Sequence, residues 1–122
     1  MPVKHSNDVP ENEVQAGDFT TIQVLLSGQE APNFAIRRFR MAPGGGMPNH
    51  TNTVEHGQYV LQGRARISIH GEEFEVQAGD VVFIPAGAPH WYQNIGDEDF
   101  VFLCVIPTAT QDVVTLLDEK NC

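Results

Sequence analysis

Short apolar stretches cut apart by turn residues set the rhythm of this chain. Val, Ile, Phe and Tyr cluster in Thr20 to Leu26, Phe34 to Met41, His56 to Leu61, Ala65 to His70, Glu73 to Val76, Val81 to Ile84, and Phe100 to Ile106. These are strand lengths and strand residue types, and Gly, Pro, Asn or Asp bound most of them. Helical periodicity is nearly absent. The single helical candidate is Gln111 to Glu119, a short stretch after Pro107. Many short strands at regular spacing predict an all-β sandwich or barrel.

Three segments follow from this pattern: an arm and first strand over 1–30, a barrel core over 31–107, and a tail over 108–122. Residues 1 to about 18 are polar, and such an arm pairs with a sheet edge or with a second subunit. Open sheet edges make a homodimer the expected assembly. The pentapeptide Val-Gln-Ala-Gly-Asp occurs at 14–18 and again at 76–80, but the sequences that follow differ. Both copies read as local turn-then-strand chemistry rather than as a repeat.

A chain of 122 residues is one domain. It buries roughly two-thirds of its unfolded surface, so it needs no disulfide to make a core. Seven Lys plus Arg against sixteen Asp plus Glu give a net charge of −9. Like charges repel, so nucleic acid and anionic membrane surfaces are disfavoured as partners, and a small molecule is expected instead. No apolar run reaches bilayer-spanning length, and the polar N-terminus has no secretory core, so the expected compartment is the cytoplasm. Cys104 lies in an apolar run and Cys122 is the last residue; both read as free thiols in a reducing compartment.

The chemistry concentrates in the histidines. His5 sits in the polar arm, and His70 precedes Gly71 as a hairpin turn residue. His50, His56 and His90 are the informative ones. Strand alternation lets His50 and Asn52 face one way and puts His56, Gln58 and Val60 on one face of the next strand. In Gly79-Asp80-Val81-Val82-Phe83-Ile84-Pro85-Ala86-Gly87-Ala88-Pro89-His90, a strand ends at Pro85, a tight turn follows, and His90 opens another strand.

This pattern resembles the cupins. Their second motif, G-x5-P-x-G-x2-H-x3-N, is matched at every fixed position by Gly79, Pro85, Gly87, His90 and Asn94. Their first motif, G-x5-H-x-H-x3,4-E-x6-G, is matched by Gly44, His50 and Gly63, whereas Asn52 stands at the second His and His56 at the Glu. The resemblance covers about residues 34 to 107, and the wider run looks like the small single-domain cupins whose manganese is held by four histidines. It implies a double-stranded β-helix, a jelly-roll barrel, with one divalent transition metal held by His50, His56 and His90. Mn or Fe is the first expectation; imidazole also serves Zn, Ni, Co and Cu. Asn52 either offers its amide oxygen or leaves a position to water. A competing reading makes Glu55 a ligand through a β-bulge, although alternation turns it away from His56.

Strand parity supplies pocket candidates. Arg37 shares a face with Ala35, Phe39 and Met41, which suits an inward carboxylate clamp, or it pairs with acids at the rim. Both faces of Phe100 to Ile106 are apolar; the resemblance favours Phe102 and Cys104 as barrel-facing, with Cys104 either a small core residue or a redox group. Gln58 and Tyr92 follow the parity of His56 and His90. The leading functional expectation is an oxidoreductase of dioxygenase type acting on a small organic acid or enolisable compound. Alternatives are a non-redox isomerase-like cupin of the sugar or uronate kind and a non-catalytic small-molecule binder.

Overall fold

The computed structural model describes residues 2–108 and 112–117. It is built almost wholly of strands: β1 (Asn12–Glu13), β2 (Asp18–Leu26), β3 (Phe34–Asn52), β4 (His56–Gln62), β5 (Arg64–Ile69), β6 (Glu72–Gln77), β7 (Val81–Ile84), β8 (His90–Asn94), β9 (Phe100–Pro107) and β10 (Val114–Leu116). The hydrogen-bonded order β6-β5-β8-β3-β9-β4-β7, with β1 on β2 and both β2 and β10 on β3, curls into the expected jelly-roll barrel. Among the described residues no helix is long and apolar enough to cross a membrane.

β3 joins the two walls. The sequence pattern predicts a strand over Phe34 to Met41, yet the strand continues through Pro43 and three glycines to Asn52. Its first half pairs with β2 and β9. Its second half pairs with β8 through Gly46, Met47 and His50, and with β10 through His50, Thr51 and Asn52. The strand that carries His50 and Asn52 is therefore gripped on both sides.

Local chemistry explains the corners. β5 and β6 are joined by His70 and Gly71, with φ of +54° and +81°, the paired left-handed conformations of a two-residue hairpin. Gly63, between β4 and β5, has φ +84°, and a Cβ there would collide with the Asp99 carbonyl. Both Val-Gln-Ala-Gly-Asp segments are turns: Gly17 N–H donates to Val14 O at 3.1 Å and Asp80 N–H to Gln77 O at 3.0 Å. Asn94, the last residue of the second motif, is structural. Its Nδ2 donates to Met41 O and to Glu98 O, each at 2.9 Å.

Met41, Val60, Ile67, Ile84, Phe100 and Phe102 fill the barrel interior. The arm does pair with an edge, β1 lying on β2. The tail departs from expectation. The helix anticipated over Gln111 to Glu119 is absent from its described part, where Val114–Leu116 forms β10. Pairing with β3 satisfies this segment's backbone, and Val113, Val114 and Thr115 are β-branched, which suits a strand better than a helix. Gln111, Glu119 and Cys122 lie outside the described residues.

Candidate functional site

Two ladders deliver the site. Across β3, β9 and β4 the register lines up Arg37, Cys104 and Gln58, and the next inward row is Phe39, Phe102 and Val60. Across β3 and β8, His50 stands opposite His90 and Met47 opposite Tyr92. His56 opens β4 opposite Ile84. Between these rows lies a cavity of about 320 Å³ onto which His50, Asn52, His56 and His90 all open, with Arg37, Gln58, Tyr92 and Phe102. Cys104 is not among the lining residues. It is fully buried behind the wall and meets the site through its neighbours.

The three imidazoles are near one another, with ring centroids 4.1 Å apart for His50 and His90 and 6.2 Å for His56 and His90. His50 Nδ1 lies 2.7 Å from Pro48 O, and His90 Nδ1 lies 2.8 Å from Ala88 O. A carbonyl only accepts, so each Nδ1 carries the proton and donates, and each Nε2 keeps its lone pair. Burial lowers all three proton affinities. His90 is brought down to about 4 chiefly by desolvation. His56 also falls to about 4, through desolvation and then the Arg37 charge, and His50 is lowered by desolvation. All three are neutral imidazoles at neutral pH.

His56 is set up differently. Its Nδ1 is 3.2 Å from Cys104 Sγ and 3.4 Å from Arg37 Nη2. Arg37 Nη2 also donates to Cys104 Sγ at 3.3 Å, and its guanidinium carbon stands 5.2 Å from the Phe39 ring centre. Arg37 therefore faces inward, donating to a thiol sulfur and lying beside an imidazole and an aromatic ring. His56 Nε2 is buried without a hydrogen-bond partner. The Asp112 carboxylate is 3.7 Å away, beyond hydrogen-bond reach, and with His56 neutral the two do not form an ion pair. Offering the Nε2 lone pair requires the ring proton on Nδ1, where Cys104 sulfur can accept it.

Asn52 Oδ1 is likewise buried without a partner, whereas Nδ2 donates to Asp112 Oδ2 at 3.1 Å. Gly87 N–H donates to Asn52 O at 2.8 Å, so the turn before His90 is tied to the strand bearing Asn52. Glu55 is exposed while His56 is buried, and this overturns the bulge reading that would have made Glu55 a ligand.

The donors fit a divalent transition ion. Two imidazoles have Nε2 lone pairs preset by the backbone, and an amide oxygen and a third imidazole nitrogen are buried with nothing to satisfy them. Among the described residues no group of three His, Cys, Asp or Glu side chains stands at metal-holding separations.

A ladder of rings forms one flank of the cavity. Phe39 stacks on Phe102 at 5.2 Å and Phe102 on Tyr92 at 5.4 Å, with interplanar angles of 17° and 13°. Tyr92 OH accepts from Gln58 Nε2 at 2.6 Å, and burial raises its pKa well above the usual phenol value. Sequence reasoning missed the wall residues Val14, Ala16, Met47 and Val114, and also Asp112. The β-branched run at 113–115 was the available signal for the tail.

Comparison with known proteins agrees with this architecture. The family model described as "Cupin domain" matches residues 37–106. Oxalate decarboxylase OxdC of Bacillus subtilis is 44% identical over 59 residues, covering 44% of this chain and 15% of that protein. Polyketide synthase CurC of Streptomyces cyaneus is 27% identical over 93 residues, covering 75% of this chain and 60% of that one. The chain thus spans less than two-thirds of either relative. The solved structure of the polyketide cyclase RemF from Streptomyces resistomycificus superposes with a TM-score of 0.85 at 29% identity, covering 98% of this chain and 88% of that one.

Proposed function

The chain belongs to the cupin family, and from that premise we propose that it is a metal-dependent enzyme whose substrate is a flat, enolisable polycarbonyl compound, folded and cyclised in the barrel. One observation carries the reading: neutral metal donors at one end of a cavity flanked by the Phe39–Phe102–Tyr92 ring ladder. Planar conjugated carbonyl compounds stack on such a wall, whereas oxalate is small and doubly charged and gains nothing from it. The likeness to proteins named polyketide cyclase and polyketide synthase supports the same substrate class.

His50, His56 and His90 would hold the ion, with Asn52 Oδ1 as a fourth donor. A bound divalent ion supplies Lewis acidity, lowering the cost of an enolate oxygen. The chain's own groups do the rest. Phe39, Phe102 and Tyr92 align the substrate plane and exclude water. Gln58 fixes Tyr92 by donating to its oxygen, which leaves the phenolic proton free to donate to a substrate oxygen. Burial keeps that phenol neutral, so it stays a donor.

A second reading rests on Arg37. Its Nε is buried without a partner and would steady a substrate carboxylate, as the oxidative, dioxygenase-type chemistry on an organic acid requires. The test separates the two. Protein loaded with Mn(II), Fe(II) or Zn(II) is incubated with linear β-polyketones and β-diketones, with and without oxygen. Cyclised product formed anaerobically is the expected result. Product only with matching oxygen uptake selects the oxidative reading. No metal uptake, or no turnover in either atmosphere, sinks the proposal.

A further inference from the structure

The first cupin-like motif lacks its carboxylate, yet the chain returns one to the same place from the far end of the sequence. β10 lies antiparallel on β3, with Val114 opposite Asn52, Thr115 opposite Thr51 and Leu116 opposite His50. Leu117 N–H donates to Asn49 O at 2.9 Å and Val113 N–H to Thr53 Oγ1 at 2.8 Å, so residues 113–117 are zipped along the strand that carries the site. This pairing sets Asp112 beside Asn52. The carboxylate is only 13% exposed, and both its oxygens are committed: Oδ1 accepts from Thr53 N–H at 3.2 Å and Oδ2 from Asn52 Nδ2 at 3.1 Å.

We propose that Asp112 is a positioning residue: it locks the Asn52 amide with Nδ2 turned to the tail and Oδ1 left as the buried acceptor at the cavity wall, making Asn52 a metal donor. The chemistry leaves no ambiguity about which end is which. A carboxylate accepts and does not donate, so the amide end that meets it is the NH2. The amide is planar, so tethering one end orients the other. Without Asp112, the NH2 group loses its acceptor and the amide is free to turn, presenting a donor where a cation requires a lone pair. Asp112 also brings a negative charge close to neutral donors. Each of its oxygens is held by a protein N–H, Oδ2 by Asn52 itself, and its positioning role is exerted through Asn52. The metal part of this inference rests on the proposed function; the amide orientation does not.

The experiment uses Mn(II) alone as probe, with the full chain and the variants Asp112→Ala, Asp112→Asn, Asn52→Ala and Asp112→Ala/Asn52→Ala. Titration calorimetry should show Asp112→Ala weakening Mn(II) binding by about 10–100-fold, the usual cost of losing a partner that orients a ligand. On the Asn52→Ala background the same substitution should cost clearly less than in the wild type, the remainder being the lost charge, because paired effects shrink when one residue acts through another. If Asp112→Ala loosens the tail, the isosteric Asp112→Asn decides; it too should weaken binding. In metal-free protein, the Asn52 side-chain NH2 resonances should exchange slowly with water in the wild type and rapidly in Asp112→Ala. Undiminished affinity in both Asp112 variants overturns the inference, as does an equal fold-loss on the Asn52→Ala background or unchanged amide exchange. If the wild type takes up no Mn(II), the proposed function fails, and amide exchange alone then decides the orientation.

Discussion

His50 and His90 face each other as register partners across β3 and β8, and each gives its Nδ1 proton to the carbonyl two residues before it, Pro48 O and Ala88 O. The same local device, repeated on two strands, sets both tautomers from the backbone. It follows that the tautomers exist before any metal arrives. Nitrogen chemical shifts of the metal-free protein near pH 7.5 should show both rings protonated at Nδ1 and bare at Nε2. A proton found on Nε2 of either ring would contradict the assignment.

Acid should weaken the fold in a defined window. His90 is neutral and almost fully buried, and its folded value of about 4 lies below the ordinary 6.5. Above 6.5 neither state binds the proton. As pH falls from 6.5 towards 4, the unfolded chain takes up a proton that the folded ring refuses, so unfolding is favoured; below about 4 both states are protonated and the effect levels off. The depression of His90 alone corresponds to roughly 3 kcal/mol, and His56 shifts in the same direction. Urea unfolding across this range should show stability falling with pH more steeply in the wild type than in His90→Gln. Equal slopes would mean that the ring is not the origin.

Replacing Asn52 by His should tighten metal binding, since an imidazole is a stronger donor than an amide oxygen to a transition ion. Asn52 already lies at the cavity with its oxygen unpaired, so the new ring has a place to go. Calorimetry with Mn(II) or Zn(II) checks this. Unchanged affinity would put position 52 outside the coordination shell.

What the sequence disclosed, and what it hid, follows from the range of the interactions involved. Gly79 sits in the turn before β7, and Pro85 and Gly87 in the turn after it that leads into His90, all close in sequence, so their spacing alone showed how His90 is presented. Arg37 was readable because alternation along a strand is strict: its neighbours Ala35 and Met41 are buried, and it sits on their face. Asp112 was not readable. Its role depends on β10 meeting Asn52, some 60 residues away, and Asp-Val-Val-Thr-Leu-Leu has no period that separates strand from helix. The length of β3 was hidden for the opposite reason. Pro43 and the glycines at 44–46 look like a loop and do interrupt the pairing, Gly44 taking φ +81°, but β2 bridges the irregularity from Thr20 opposite Met41 to Asp18 opposite Gly46, and β8 takes up the strand beyond it.

Phe102 is the centre of the ring ladder, stacked between Phe39 and Tyr92 and also against Phe100 at 5.3 Å. Truncation to Ala should cost about 3–5 kcal/mol, because the surrounding rings collapse only partly into the space. It should also raise KM for a flat substrate more than it changes metal affinity. Denaturant midpoints, steady-state kinetics and calorimetry measure the three effects. A parallel loss of metal binding would show that the ladder holds the ligand rings, not the substrate.

Gly63 and Gly71 separate two costs that usually come together. Both adopt left-handed backbone, with φ of +84° and +81°. At Gly71 an added Cβ meets open space, so Gly71→Ala carries only the conformational penalty, about 1–2 kcal/mol. At Gly63 the Cβ would press into the Asp99 carbonyl and the Phe100 Cα, both backbone atoms that cannot swing aside. Gly63→Ala should therefore be the more destabilising of the two, by the steric cost alone. It should also disturb β9, whose Phe100 and Phe102 fill the core, and so reach the site that Gly71→Ala leaves untouched. Thermal melts of the two variants measure the difference in stability, and Mn(II) affinity measures its reach. Equal melting points would mean that the corner at Gly63 is looser than its backbone contacts require.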